Sequence, residues 1–201
     1  MNNTLDLHEI RVQPVSMKER PKWRELMNRH HYLGFTKAGG EQVWYVGKSD
    51  ESWVSLMGWC TSAFKSCHRD EWIGWEEAIR YGRLKYIASN FRFLILPEYR
   101  VKNCASRVLS LNMKRLSADW EQFYGHEIWA VETFVDQRFL GTCYKAANFK
   151  ALGKTKGYGR NSGKYDYHGN EKTIFVRALT PRALTKLKDP NQPLKGEEEE
   201  M

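Results

Sequence analysis

Apolar residues recur along this chain in two periods, three to four residues and two, and the switches between them mark its elements. From Ser16 the run SMKERPKWRELMNRHHYLG places Trp23, Leu26, Met27 and His30 on one helical stripe. Ser16 and Glu19 stand at capping-box spacing and Pro21 suits a first turn, so a helix begins there and ends at Gly34. Residues 42–47 and 52–59 read as two strands of an antiparallel hairpin joined by the polar loop 48–51. Residues 61–70 are polar, with Ser62, Lys65, Ser66, His68 and Arg69, and 72–85 has mixed helical character broken by Gly74 and Gly82. Such a stretch lies over a site as a loop and short helix, or is merely surface. FRFLIL, residues 91–96, is a continuous apolar run ended by Pro97, the pattern of a central strand, with Arg92 its odd member. Asn103 then caps one helix in which Ala105, Leu109, Met113, Leu116 and Trp120 share a buried face.

Residues 128–135 are apolar but for one carboxylate, and a pleated strand puts Ile128, Ala130, Glu132 and Phe134 on one face. A carboxylate in that company must be paired, protonated or at the mouth of a cleft. Two readings stay open for Glu132: a salt bridge to a core arginine such as Arg92, or a general base or metal ligand. Residues 141–151 form a short helix stopped by Gly153, with Tyr144, Ala147 and Phe149 to pack or present. The glycines at 153, 157, 159 and 163 suggest a mobile loop that orders on a partner, and 173–179 is a last strand. From Pro181 the composition turns to Lys, Pro, Asp and Glu, which divides the chain into a domain over 1–180 and a disordered polar tail over 181–201.

A length of 201 residues with 41% hydrophobic content and 8 Trp suffices for one cored domain. No apolar run approaches the ~18 residues of a membrane span, and MNNTLDLHEI lacks the layout of a signal peptide, so a cytoplasmic protein with no membrane partner is expected. Cys60, Cys67, Cys104 and Cys143 show no paired spacing and read as reduced thiols; a zinc site using Cys60, Cys67 and His68 would depart from the usual short spacings.

Charge changes the picture most. The net charge is +8, and about +12 without the acidic run at 197–200, which makes a polyanion the first partner to consider. Between Asp136 and Asp166 there are seven bases and no acid. Arg138, Lys145, Lys150, Lys154, Lys156 and Arg160 alternate there with aromatics including Phe149 and Tyr158, as a groove for phosphates and unstacked bases requires. Arg100, Lys102, Ser106 and Arg107 flank a helix start whose free amides could seat an anion. His30, His31 and Tyr32 project where the first helix stops, either as a dipole-stabilised or packed feature or as ligands.

RFLILPEYRVKNCASRVLS followed by ETFVDQRFLGTCYKAANFKALGKTKGYG resembles the DruA family, named for a component of the Druantia anti-phage system and found also with transposable elements. The order of elements is similar to the GNAT acyltransferase fold, and within it to Mom-like phage proteins that modify adenine bases in DNA. The resemblance implies an α+β single GNAT-like domain, with a central mixed, mostly antiparallel sheet flanked by helices. In GNAT enzymes the loop after the central strand reads Arg or Gln, two residues, Gly, one residue, Gly or Ala, and its amides hold the acyl-CoA pyrophosphate. Arg100, Asn103 and Ala105 occupy those places here, with Ser106 and Arg107 beside them, and Asn103 departs from the glycine. The Mom-like pattern maps onto His31 and Tyr32, Asn103 and Ser106, Asp136, and Gly141, Tyr144 and Asn148.

The function so implied is that of a DNA-acting or other nucleic-acid-acting protein of a phage, defence or mobile-element system, a base-modifying transferase. Its catalytic set is His31, Tyr32, Glu132, Asp136 and Tyr144, with a base extruded toward Tyr32, Tyr144 and Phe149. An acyl-CoA-like donor and iron are the cofactor candidates, the iron held by His31 with Asp136 or Glu132. The competing functions are a catalytically silent DNA-binding module and an ordinary CoA-dependent N-acyltransferase.

Overall fold

Ser16 donates its backbone N–H (3.0 Å) and its hydroxyl (2.8 Å) to Glu19 Oε2, closing the expected capping box. The computed structural model describes residues 5–161, 164–167 and 169–192. In chain order the elements are β1 (Arg11–Pro14), α1 (Arg20–His30), β2 (Gln42–Ser49), β3 (Ser52–Thr61), α2 (Cys67–Ile73), α3 (Glu77–Arg83), β4 (Ile87–Ile95) and α4 (Cys104–Met113). Then follow α5 (Leu116–Tyr124), β5 (Ala130–Asp136), α6 (Thr142–Ala146), β6 (Lys150–Lys154), β7 (Tyr158–Asn161), β8 (Lys164–Tyr167), β9 (Lys172–Ala178) and α7 (Ala183–Lys188). Seven strands pair in the order β1-β2-β3-β4-β5-β9-β6, and β7 pairs with β8 in a separate hairpin.

The chain divides into two compact units, residues 1–61 with 90–127 and residues 62–89 with 128–201, so that β4 contributes to both. In the first unit Trp23 and Met27 of α1 pack with Val15, Trp44, Val46, Trp53, Leu56, Leu94 and Leu96. The hairpin turn is tighter than the expected four residues, because Ser49 pairs with Ser52 and Asp50 takes a left-handed φ of 48°. The single long helix expected after Asn103 is two helices. Arg115, at the break, donates to Val12 O (2.6 Å) and to both oxygens of Asp119, tying β1 to the start of α5.

In the second unit β5 and β9 pair antiparallel with Glu132 opposite Val176, and β6 adds to the far side of β9. The stretch expected as a mobile loop thus begins as a strand. Gly153 does not stop a helix; it lies at an irregularity in β6 with φ 153°, where a Cβ would meet the His68 ring at 3.0 Å. Gly82 likewise sits inside α3 and breaks nothing.

The expected disordered tail holds a helix instead. Ala183 and Leu187, four residues apart, are fully buried against Ile73, Tyr86, Ile87, Trp129 and Ala130. Arg83 donates to the carbonyls of Asp189 (2.8 Å) and Gln192 (2.6 Å) beyond it. Residues 193–201 lie outside the described residues. Replacing Leu187 by Ala should cost about 2–5 kcal/mol of stability, read from the urea midpoint, whereas a disordered tail would give no change.

Candidate functional site

Glu132 is fully buried on β5, and both its oxygens are engaged. Oε1 accepts the Ala63 N–H at 2.7 Å and Oε2 accepts Arg69 Nη1 at 3.1 Å. Of the two readings left open, the ion pair is present, but its partner is Arg69. Arg92 instead donates to Gly34 O (2.7 Å) and Thr36 Oγ1 (3.2 Å), fastening the turn after α1 to β4. Arg69, itself without exposure, also donates through Nη1 to Ala63 O (2.6 Å) and through Nε and Nη2 to Asp70 Oδ1. Asp70 reaches on to Arg80 at 3.4 Å. Burial pushes the Glu132 carboxyl up, against the pull of Arg69 and the Ala63 amide.

The remaining catalytic candidates divide between the two units. His31 follows α1, stacks on Tyr32 with centroids 4.7 Å apart, and accepts the Leu33 N–H at Nδ1 (3.2 Å). Burial first, and then the charge of Arg92, push its pKa down to about 4, so the ring is neutral near pH 7 with Nε2 as its N–H. Tyr32 is exposed. In the second unit Asp136 accepts from Arg138 at both oxygens, and that bonding holds its carboxyl at about 2. Tyr144 is buried, edge-on to Phe149 and stacked with Phe175. The expected lining of a base pocket by Tyr144 and Phe149 is therefore corrected: both rings are core.

At the start of α4, Asn103 takes a left-handed φ of 66° and makes no side-chain cap bond, against the expected cap. Its neighbour Ser106 turns its hydroxyl back to Asn103 O (3.1 Å), and Arg107 Nε donates to Leu7 O (3.1 Å). Arg100 and Lys102 are exposed. The amides of Ala105 and Ser106 lie in the first helical turn, where the helix itself supplies no acceptor. Asn103 thus takes a left-handed conformation, which glycine adopts freely and Asn tolerates better than most other residues.

Of the residues expected to hold nucleic acid, Arg138, Lys145, Asn148, Lys150, Lys154, Lys156 and Tyr158 are exposed, and Phe149 is buried. Arg138 is paired with Asp136, and Lys154 lies 3.5 Å from Glu171. The Arg160 side chain lies outside the described residues. Among the described residues no three His, Cys, Asp or Glu side chains gather to hold a metal ion, and no helix is long and apolar enough to cross a membrane. His68, offered above as a zinc ligand, bonds Lys154 O at 3.1 Å.

Sequence reasoning missed Arg69, Asp70 and Arg80, which lay in the stretch taken as loop and surface. The one available signal was helical spacing, since Arg69 stands four residues before the apolar Ile73.

Two measurements test this geometry. Glu132→Gln strands Arg69 without its fully buried counter-charge and should lower stability by about 3–5 kcal/mol in urea titration, with part of the loss recovered by adding Arg69→Met. Below about pH 6.5 the unfolded chain takes up a proton at His31 that the folded ring refuses, so stability falls as pH drops toward about 4. NMR titration should place the His31 midpoint near 4, and His31→Phe should flatten the stability profile in that window.

Residues 2–183 match the model of the family described as Druantia protein DruA. Among solved structures, the chain resembles the ribosomal-protein-S18-alanine N-acetyltransferase from Escherichia coli at 8% identity, with a TM-score of 0.56 over 85% of this chain and 94% of that one. It also resembles Arabidopsis thaliana NAA60 in complex with acetyl-CoA, at 13% identity and a TM-score of 0.57 over 84% and 98% of the two chains. A third likeness is to the spermidine/spermine N-acetyltransferase SpeG from Vibrio cholerae in complex with manganese ions, at 10% identity and a TM-score of 0.55 over 90% and 98%. No match is found among curated proteins. These identities speak for the fold alone, which is the GNAT fold, and the family match spans nearly the whole length: the chain belongs to the DruA family.

Proposed function

We propose that this protein is a GNAT-fold transferase acting on nucleic acid in an anti-phage or mobile-element setting, where it modifies a base of DNA. The observation that carries the transferase half is the start of α4. Asn103 turns left-handed without capping, and so leaves the Ala105 and Ser106 amides to an anion, with Arg100 and Lys102 exposed beside them. These residues fit the pyrophosphate of an acyl-CoA-like donor, which when bound would supply the group to be transferred. Similarity in fold to N-acetyltransferases, one of them in complex with acetyl-CoA, supports the same reading.

The nucleic-acid half rests on charge: a net +8, and exposed Lys145, Lys150, Lys154 and Lys156 in a stretch without an acid. An extruded exocyclic amine is the acceptor in this reading. Of the proton-handling candidates, His31 is neutral at working pH and sits against an exposed Tyr32, whereas Glu132 has both oxygens committed and Asp136 is a weak base at about 2. That commitment of the acids favours a second reading, a binding module without catalysis that keeps the fold and the cationic surface.

Nucleoside mass spectrometry separates the two. DNA from cells expressing the protein should contain a modified nucleoside that is absent with His31→Ala, and acyl-CoA should raise the melting temperature of the wild type more than that of Arg100→Ala. An unchanged nucleoside profile with salt-sensitive DNA binding would establish the silent module instead.

A further inference from the structure

Two aromatic rings in the second unit stand in solvent although the buried ion network reaches both of them. Phe64 is 51% exposed and Tyr81 50%, and their centroids lie 4.9 Å apart at 34°. The residue before Phe64 is fixed on both sides, since the Ala63 N–H goes to Glu132 and the Ala63 carbonyl receives Arg69. On the other side, Arg80 donates to the Tyr81 hydroxyl at 2.7 Å, and its guanidinium lies 4.6 Å from the centre of that ring. Asp70 joins Arg69 to Arg80, so one connected set of charges holds the backbone behind Phe64 and the hydroxyl of Tyr81.

Exposed aromatics are common singly, but here the backbone before Phe64 and the hydroxyl of Tyr81 are held in place before any partner arrives. That pre-organisation lowers the ordering cost of binding. We propose that Phe64 and Tyr81 form a stacking platform for an unpaired base of single-stranded nucleic acid. The tilted pair is half exposed and carries a cation 4.6 Å from the Tyr81 ring centre, which suits a flat heterocycle without demanding a particular base. One cation for the strand's phosphates adjoins Phe64 in sequence, and others stand on the strand that α2 packs against. Lys65 follows Phe64 and is exposed, and α2 packs on β6 through His68 and Lys154 O, beside a strand that carries exposed Lys150 and Lys154.

The platform rests on the nucleic-acid reading given above and names the state of the strand it takes. Anisotropy titrations with a labelled oligothymidylate and with an abasic strand of equal length test the two separately. Phe64→Ala and Tyr81→Ala should each weaken oligothymidylate binding roughly tenfold, in line with the ~1–3 kcal/mol of a base–aromatic stack, with no effect on the abasic strand, and Phe64→Trp should retain affinity. If the alanine variants bind oligothymidylate like the wild type while Lys150→Ala weakens both strands, the platform is overturned and the nucleic-acid reading stands. Equal loss on both strands would also overturn it, because stacking cannot act where bases are missing. If the wild type binds neither strand at low salt, both proposals fall.

Discussion

A carboxylate and a guanidinium with no access to water hold residues 62–70 against β5. Burying Glu132 and Arg69 is costly, and a charge pair in a low-dielectric interior is tolerated only when the remaining donors and acceptors are also met. Here they nearly are. Arg69 uses Nε, Nη1 and Nη2, Glu132 uses both oxygens, and Trp75 lies 5.6 Å from the guanidinium. What the pair gives in return is position: it clamps the backbone on both sides of Ala63, and through Asp70 it reaches α3 by way of Arg80. An apolar replacement of equal volume would pack as well, but it could not fix both polar groups of the half-buried Ala63.

The left-handed Asn103 answers a question that composition alone leaves open. Replacing a loop glycine changes two things, the accessible backbone conformations and the presence of a side chain. In this chain only the second change occurs, since φ is 66° and the amides of the first turn of α4 remain uncapped. The position therefore keeps a conformation open to glycine while carrying an exposed side-chain amide, a donor and acceptor that glycine lacks, beside the uncapped first turn of α4.

Much of the fold was legible because its cues are local. The Ser16–Glu19 box, the period of Trp23 and Met27, the paired runs of the hairpin and the apolar stretches of β4 and β5 each declare themselves within a few residues. The features that were misread depend on distant partners. Glu132 finds Arg69 63 positions away, and Arg115 breaks the helix to reach Val12 at a separation of 103. Tyr144 could have faced either way, because a helix of five residues has no clear stripe; Phe175 on β9 stacks with it, and Phe149, beyond the helix, packs edge-on to it. The terminal helix hid in a composition of Lys, Pro and Asp, where Ala183, Leu184 and Leu187 at helical spacing were the signal.

The same dependence governs the chemistry. In a protein of net charge +8, a histidine beside an arginine can stay neutral without any special base, since both burial and Arg92 oppose a proton on His31. The acids respond in the opposite sense. Asp136, near the surface beside Arg138, is held fully ionised and loses basicity, while Glu132 is kept from solvent and spends its lone pairs on structure. Burial first, and Arg92 second, thus keep the His31 imidazole neutral near pH 7, while the two acids are committed to partners of their own.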